Sequence, residues 1–363
     1  NEAIKGLMRV NLFINRVFSL LMPLMGLVMN MITLMIIWFG AKGIDLGTMQ
    51  VGSLLAFISY TMQVVMSFMM ISMSAIMLPR ANVSAERIQE VLTTEPSITD
   101  PVQVGTMPEF TGRVRFENVS FRYPDASKDV LHDISFEAGP GQMIGIIGGT
   151  GSGKSSVLYM IPRFFDATQG RVTIDGVDVR DIPLTTLRSL IGLVPQSGVL
   201  FTGDIASNIK FADEDMSDER MQEAARIAQA EDFILEKEQG YLEPIAQGGT
   251  NVSGGQKQRL SIARAIAARP KILLFDDSFS ALDYRTDLNL RRQLRTHAKD
   301  ATVIMVAQRI ASVMQADQII VLENGAITAI GTHSELLEKS AAYREVAASQ
   351  LGEQEIAGKA GDR

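Results

Sequence analysis

The segment from Val17 to Phe39 constrains the fold of this chain more than any other feature of its sequence. It is a run of 23 residues without a charged side chain (VFSLLMPLMGLVMNMITLMIIWF). A helix of this length spans about 30 Å of hydrocarbon. Pro23 and Gly26 lie inside the run, and both residue types are tolerated in membrane helices. The segment therefore predicts a transmembrane helix.

A second uncharged run, from Val51 to Pro79, predicts a second span. The only charged residues between the two runs are Lys42 and Asp45, whose charges balance. Trp38, near the end of the first run, suits an anchor at the outer membrane interface. The positive charges lie on the outer flanks, at Lys5, Arg9, Arg16, Arg80 and Arg87. The positive-inside rule places both flanks in the cytoplasm. The alternative is a buried hairpin of a soluble protein.

Methionines recur three or four residues apart along the second run, which places them on one helical face. Because methionine is flexible and polarizable, this stripe could line a cavity for varied apolar ligands. A lipid-facing or helix-packing seam is the other interpretation. Neither run holds a charged residue or histidine, so the spans give no sign of a proton or ion relay. The stripe consists of Met62, Met66, Met69, Met73 and Met77.

The composition of the chain excludes some kinds of binding site. A net charge of -7 gives no electrostatic footprint for nucleic acid, and the absence of cysteine excludes disulfides and thiolate metal sites. The chain opens on Asn1 without an initiator methionine, which predicts a fragment. We expect a membrane part at 1–92, a linker at 93–112 and a soluble domain at 113–350 that closes with a helix at 336–350. A polar tail follows at 351–363.

A phosphate-binding loop is predicted where an apolar strand (MIGII) meets GGTGSGKS and a helix begins. Glycines let backbone N–H groups converge on phosphates at a helix N-terminus, where the helix dipole also favours an anion. Lys154 would reach the β- and γ-phosphates, and the Ser155 hydroxyl would bind magnesium. The predicted phosphate-site residues are Gly148, Gly149, Thr150, Gly151, Ser152, Gly153, Lys154, Ser155 and Ser156.

Further polar residues follow apolar strands. Asp276 ends the strand ILLF, and Asp277 follows it directly. Gln196 follows LIGLVP and Gln308 follows TVIMVA. Ligands of an open α/β sheet bind at the carboxyl ends of its strands, so these four residues are candidates for one site. QIIVLENGAI predicts a hairpin that turns at Asn324-Gly325.

The motifs together resemble those of the ATP-binding cassette (ABC) transporters, in the exporter type that fuses membrane and nucleotide domains. Gly148–Ser155 resembles the Walker A loop, Ile272–Asp276 resembles Walker B, and VSGGQ resembles the signature. A lone SGG before a helix is a weak signal, but its position between Walker A and Walker B is specific. The corresponding residues are Val252, Ser253, Gly254, Gly255 and Gln256 for the signature, Gln196 for the Q-loop, Ser280, Ala281, Leu282 and Asp283 for the D-loop, and Tyr123 for adenine stacking.

The resemblance implies a membrane α-helical hairpin, the last two transmembrane helices of a six-helix domain. An α/β P-loop NTPase domain of the ABC type follows, with an antiparallel β subdomain and a helical signature subdomain. It implies ATP and Mg²⁺ as cofactors, with the metal held by Ser155, Gln196 and Asp276. It further implies a multi-pass protein of the plasma membrane with a cytoplasmic nucleotide domain. In the family, two such domains close head to tail, so that each ATP lies between one chain's Walker motifs and the other chain's signature.

Two residues of the predicted hydrolysis site depart from the family pattern, and a third departure precedes the signature. Asp277 stands where the family has a catalytic glutamate, and Gln308 stands where it has a switch histidine; Gln247 stands before the signature where glutamate is common. The lost methylene withdraws the carboxylate by roughly 1 Å, a misplacement that can cost about 100-fold in rate. Glutamine cannot carry the charge of histidine. We therefore predict tight ATP binding and weak hydrolysis at this chain's Walker site.

Three functions remain open at this level. The pattern resembles the degenerate subunit of a bacterial heterodimeric multidrug exporter, whose partner carries the glutamate and histidine and whose substrates are lipophilic. In that assembly the intact signature of this chain would complete the partner's competent ATPase site. A slow homodimeric exporter of lipid or peptide is the second function. An ATP-gated regulator that does not pump is the third.

Overall fold

The computed structural model describes residues 2–102 and 108–350. It divides into two compact units, one ending at Glu95 and the other beginning at Pro96. The predicted polar tail and residues 103–107 of the predicted linker lie outside the described residues.

Within the described residues, two long helices are followed from residue 114 onward by a mixture of strands and shorter helices. The helices are α1 (Glu2–Asp45), α2 (Val51–Thr93), α3 (Lys154–Met160), α4 (Leu184–Ser189), α5 (Ile205–Ile209), α6 (Asp218–Ile227), α7 (Glu231–Leu235), α8 (Gly254–Ala267), α9 (Tyr284–His297), α10 (Ile310–Val313), α11 (His333–Lys339) and α12 (Ala341–Gln350). The strands are β1 (Val114–Phe121), β2 (Leu131–Ala138), β3 (Met143–Ile147), β4 (Gln169–Ile174), β5 (Val177–Asp178), β6 (Ile191–Val194), β7 (Gly203–Asp204), β8 (Pro244–Ile245), β9 (Ile272–Asp276), β10 (Thr302–Val306), β11 (Gln318–Glu323) and β12 (Ala326–Gly331). Short 3-10 helices occupy Lys210–Ala212, Gly240–Leu242 and Gln247–Gly249.

The first unit is a pair of helices, each long and apolar enough to cross a membrane. α1 has 44 residues and α2 has 43, about twice the length that hydrocarbon requires. α2 continues through Pro79 to Thr93 without interruption. Near the connection, the helices approach so closely that a Cβ on Gly40 would collide with the Leu54 side chain. Glycine at this position therefore permits the close contact.

Hydroxyl groups within the two helices bond to their own backbone. Thr33 donates to the Met29 carbonyl at 2.9 Å, and Thr61 donates to the Phe57 carbonyl at 2.7 Å. Ser59, Ser67 and Ser74 make the same bond to the residue four positions earlier. An unpaired hydroxyl in hydrocarbon costs several kcal/mol, so this pairing suits a helix surrounded by lipid.

The second unit is built on two main sheets. A six-stranded sheet has the order β12-β11-β3-β10-β9-β6 and is parallel except for β12, and an antiparallel sheet has the order β2-β1-β4-β5. All residues of β9 are buried, as predicted for a strand covered on both faces. Ile272 and Leu274 pack towards the core shared with the antiparallel sheet. Leu273 and Phe275 pack towards the helical side.

The segment before β1 belongs to the second unit. The Thr99 carbonyl accepts a hydrogen bond from Arg163, and the Asp100 carboxylate accepts one from the Leu184 backbone N–H, which begins α4. Phe110 is buried in the core between the sheets. The second unit therefore begins within the segment predicted as a linker.

The predicted closing helix at 336–350 is wrong as a single element, because the structure has α11 and α12 instead. Ser340 adopts extended backbone angles between them, and its hydroxyl accepts a hydrogen bond from the Tyr343 N–H at 3.2 Å. Thr332 and Glu335 form a capping box that starts α11 earlier than predicted. Capping groups therefore fix both helix starts.

Candidate nucleotide-binding site

The phosphate loop joins the end of β3 to the start of α3. A Cβ on Gly148 would collide with the Leu322 carbonyl oxygen, so only glycine allows the loop to leave the sheet here. Gly153 precedes α3 with a φ of 97°, a left-handed conformation that favours glycine. These two glycines set the path on which Gly149, Thr150, Gly151 and Ser152 lie. The Ser152 hydroxyl is buried without a hydrogen-bond partner among the described residues.

Lys154, the first residue of α3, is folded back into this loop. Its Nζ donates to the Gly148 carbonyl at 2.9 Å and to the Gly149 carbonyl at 2.7 Å. Only 9% of the surface of Lys154 is exposed to solvent. Burial lowers the pKa of Lys154, while Asp277 and Asp276 oppose that shift. The ammonium group therefore already lies in the phosphate loop, paired with neutral carbonyls that a phosphate could replace as acceptors.

Asp276 lies at the carboxyl end of β9 and receives two hydrogen bonds from one face of α3. Ser155 Oγ donates to its Oδ1 at 2.8 Å, and Tyr159 Oη donates to its Oδ2 at 2.7 Å. Residues four apart on a helix lie on the same face. Asp276 is 3% exposed. This carboxylate is thus held against the helix that begins at the phosphate loop.

The oxygen atoms of Ser155 and Asp276 fit Mg²⁺. This ion prefers oxygen ligands, and in nucleotide sites it is bound by one or two carboxylates together with phosphates and water. The 2.8 Å contact between the two side chains shows that both oxygens converge on one place. A bound magnesium ion would neutralise charge on the phosphates.

Tyr159 was missed by the sequence analysis, although its spacing of four from Ser155 was a usable signal. We predict that Tyr159→Phe weakens Mg-ATP binding about tenfold, because a hydrogen bond to a charged group contributes about 1.5–3 kcal/mol. ATP affinity measured in excess EDTA should be unchanged. Tyr241→Phe is the matched control, since the Tyr241 hydroxyl is buried without a partner among the described residues. Equal Mg-ATP affinity for both variants would contradict this role.

Asp277 follows Asp276 with a φ of 46°. Gln308 Nε2 donates to its Oδ2 at 2.9 Å, and Gln196 Nε2 lies 3.4 Å from the same oxygen. Desolvation raises the pKa of Asp277, and the nearby Asp276 carboxylate adds to that rise. The ends of three parallel strands thus bring together the two departing residues and the Q-loop residue. Gln196 itself lies two residues beyond the end of β6.

Tyr123 lies beside the phosphate loop. Its hydroxyl is 3.0 Å from the Ser156 hydroxyl on α3. Its ring packs edge-on against Phe121 and Phe165, with centroid distances of 4.8 and 5.1 Å. The ring is partly exposed and fixed from two sides, which suits a planar base.

The signature residues lie apart from this cluster, and none of the described hydrogen bonds joins them to the phosphate loop. Ser253 caps α8 in a capping box with Gln256, and Val252 packs at the edge of the helical core. Gly254 and Gly255 form the first turn of α8, and Gln247 lies in a 3-10 helix before it.

The D-loop lies next to Asp277 and to the signature. Ser280 Oγ donates to the Asp277 carbonyl at 2.8 Å. A Cβ on Gly255 would lie 3.4 Å from the Ala281 carbonyl. Leu282 is buried, and Asp283 caps α9 by accepting from the Thr286 N–H at 3.0 Å. The loop therefore leads from the end of β9 to the start of α9 and passes close to the start of α8.

Comparison with known proteins shows which proteins this chain resembles in sequence and fold. Residues 131–280 match the family model described as ABC transporter. An uncharacterized ABC transporter ATP-binding protein of Mycobacterium tuberculosis is 46% identical over 340 residues, covering 92% of this chain and 57% of that protein. A probable multidrug resistance ABC transporter ATP-binding/permease protein of Bacillus subtilis is 35% identical, covering 95% of this chain and 59% of that protein.

A solved structure, of a bacterial Atm1-family ABC exporter with ATP bound, superimposes with a TM-score of 0.76 at 32% identity. It covers 90% of this chain and 57% of that one. This chain thus spans little more than half the length of these relatives. The predicted order of two apolar helices followed by a nucleotide domain with antiparallel and mixed sheets is confirmed. The chain therefore carries an ABC transporter ATP-binding domain, joined in one polypeptide to two apolar helices.

Proposed function

We propose that this chain is part of a subunit of an ATP-driven membrane exporter that binds ATP at a hydrolysis-impaired site. Its signature would complete the competent site of a different partner subunit. The observation that carries this proposal is the pairing of Asp277 with Gln308, at 2.9 Å between Oδ2 and Nε2. The two departures from the family pattern form one contact, so they act on the same reaction step.

The site retains what ATP binding requires. Lys154 lies in the phosphate loop, Ser155 and Asp276 converge on one place, and Tyr123 is held beside the loop. These groups would bind Mg-ATP without help from Asp277. Hydrolysis needs a base that reaches the attacking water, and the short Asp277 side chain is held by two amides instead. The arrangement therefore favours retention of ATP over its hydrolysis.

The exposure of the signature residues supports the proposal that they contact ATP bound to a partner chain. Ser253 and Gly254 are exposed at the N-terminus of α8, where backbone N–H groups and the helix dipole favour an anion. A γ-phosphate bound to a second nucleotide domain would fit there, as in the head-to-tail pairing of the family.

The apolar helices support a multi-pass location in the plasma membrane, with the nucleotide domain in the cytoplasm. Two relatives are named as multidrug proteins, and by this likeness we propose drug-like, lipophilic substrates. The methionine stripe of α2 would then contact such ligands; Met62, Met66, Met73 and Met77 are exposed and Met69 is partly exposed, as is most of α2. Each of these methionines would offer a flexible apolar contact.

The test is ATPase activity of the full-length subunit purified with its partner. Changing the catalytic glutamate of the partner to glutamine should abolish activity, whereas Asp277→Asn should change it less than twofold. A large loss from Asp277→Asn would overturn the proposal. High ATPase activity of the full-length subunit alone would indicate a homodimer. ATPase activity of the complex without substrate uptake into inverted vesicles would indicate a regulator.

A further inference from the structure

Gln350, at the end of α12, makes two hydrogen bonds to the backbone around Gln308. Its Oε1 accepts from the Ile310 N–H at 2.8 Å, and its Nε2 donates to the Gln308 carbonyl at 2.9 Å. One carboxamide thus pairs with a donor and an acceptor on either side of Arg309. The contact joins residues about 40 positions apart in sequence, so it depends on the docking of α12.

Gln350 lies on the face of α12 that packs against the rest of the second unit. Tyr343 and Ala347 are buried, and Gln350 follows at the spacing that continues the same face. Tyr343 is 0% exposed, and its hydroxyl lies 2.8 Å from His333 Nδ1 on α11. The helix is therefore anchored by its buried residues before it reaches the segment that contains Gln308.

The backbone N–H group at the start of α10 needs a hydrogen-bond partner from outside that helix. α10 begins at Ile310, and the preceding Arg309 makes no side-chain capping bond. The first N–H groups of a helix have no partner within the helix. Gln350 pairs the first of these groups from another element. The start of α10, and with it the backbone next to Gln308, is therefore held by α12.

These contacts extend a chain of amides to the reaction centre. Gln350 bonds to the Gln308 backbone, the Gln308 side chain bonds to Asp277, and Gln196 approaches the same Asp277 oxygen. A shift of the Gln308 backbone would therefore move its amide relative to Asp277.

We propose that Gln350 is a positioning residue that sets where the Gln308 side chain lies relative to the γ-phosphate of bound ATP. This inference rests on the proposed function, in which Gln308 takes the place of the switch residue. The C-terminal helix is then part of the apparatus by which this site distinguishes ATP from ADP. Loss of Gln350 should reduce that distinction without removing nucleotide binding.

The test compares Gln350→Met, which keeps the side-chain length but removes both bonds, with Gln350→Glu. The glutamate variant keeps the acceptor for Ile310 and loses the donor for Gln308. Glu345→Met is the matched control, because it places the same residue on the exposed face of α12. Affinities for ADP and for a non-hydrolysable ATP analogue are measured on the purified chain. Hydrogen exchange of the Ile310 amide is measured in parallel.

We expect Gln350→Met to lower the preference for the ATP analogue over ADP by three- to tenfold and to speed exchange at Ile310. Gln350→Glu should lower the preference but leave Ile310 protected. In a Gln308→Ala background, Gln350→Met should have no further effect on the preference, since its action passes through Gln308. The control should match the wild type.

An unchanged preference in Gln350→Met would overturn the inference, even with faster exchange at Ile310, because Gln350 would then cap α10 without positioning Gln308. An equal loss of preference in the Gln308→Ala background would overturn it too. Failure of the proposed function would instead appear as rapid ATP hydrolysis by the wild-type site. The analogue cannot be hydrolysed, so the two failures are distinguishable.

Discussion

Lys154→Ala is expected to weaken ATP binding to this chain more than 100-fold. The ammonium group lies inside the phosphate loop, where it donates only to two loop carbonyls among the described residues. Each hydrogen bond between a charged donor and a phosphate contributes about 1.5–3 kcal/mol, and 1.4 kcal/mol corresponds to tenfold in affinity. Equilibrium binding of a fluorescent ATP analogue to the purified chain measures the change.

Lys210→Ala is the control for this prediction. It removes a lysine whose Nζ lies 2.8 Å from Asp218, away from the phosphate loop. Its ATP affinity should equal that of the wild type. Thermal unfolding of both variants checks that Lys154→Ala remains folded. Less than a tenfold loss in a folded Lys154→Ala variant would contradict the assignment of this loop.

The double variant Asp277→Glu/Gln308→His is expected to raise single-turnover hydrolysis at this site about 100-fold. The longer carboxylate would restore the reach of the base, and histidine would remove the amide that now binds Asp277. Asp277 has a φ of 46°, a conformation that aspartate tolerates better than glutamate. The substitution should therefore cost about 1 kcal/mol of stability.

The measurement uses the assembled exporter with the partner's catalytic glutamate changed to glutamine, so that only this chain's site can react. Asp300→Glu/Gln315→His makes the same chemical changes at two exposed positions and should leave the rate unchanged. Rates within threefold of wild type for the double variant would show that something other than these two residues limits hydrolysis.

The strands and the phosphate loop could be predicted because their signals are local. β9 is buried on both faces, so its sequence is continuously apolar. The turn at Asn324-Gly325 has φ values of 49° and 81°, which these two residues adopt more readily than others. Asp276, Asp277 and Gln308 could be placed together because parallel strands end at one edge of the sheet.

The residues that orient the site could not be placed in the same way. The Tyr159 hydroxyl reaches Asp276 because packing fixes the orientation of α3 about its own axis. Gln350 acts through the docking of α12, which depends on buried Tyr343. The break at Ser340 had a capping signal in the sequence, but the helix propensity on both sides is compatible with one continuous helix. Tertiary packing decides these features.

The central claim is tested most directly by the nucleotide that this chain retains after the assembled exporter has turned over. The complex is incubated with a radiolabelled photoreactive ATP analogue, freed of unbound nucleotide and cross-linked, and the label on each subunit is identified by chromatography. We predict ATP on this chain's Walker site and ADP on the partner's site. ADP on both sites in equal amounts would contradict the account, because Asp277 and Gln308 would then support hydrolysis as well as glutamate and histidine do.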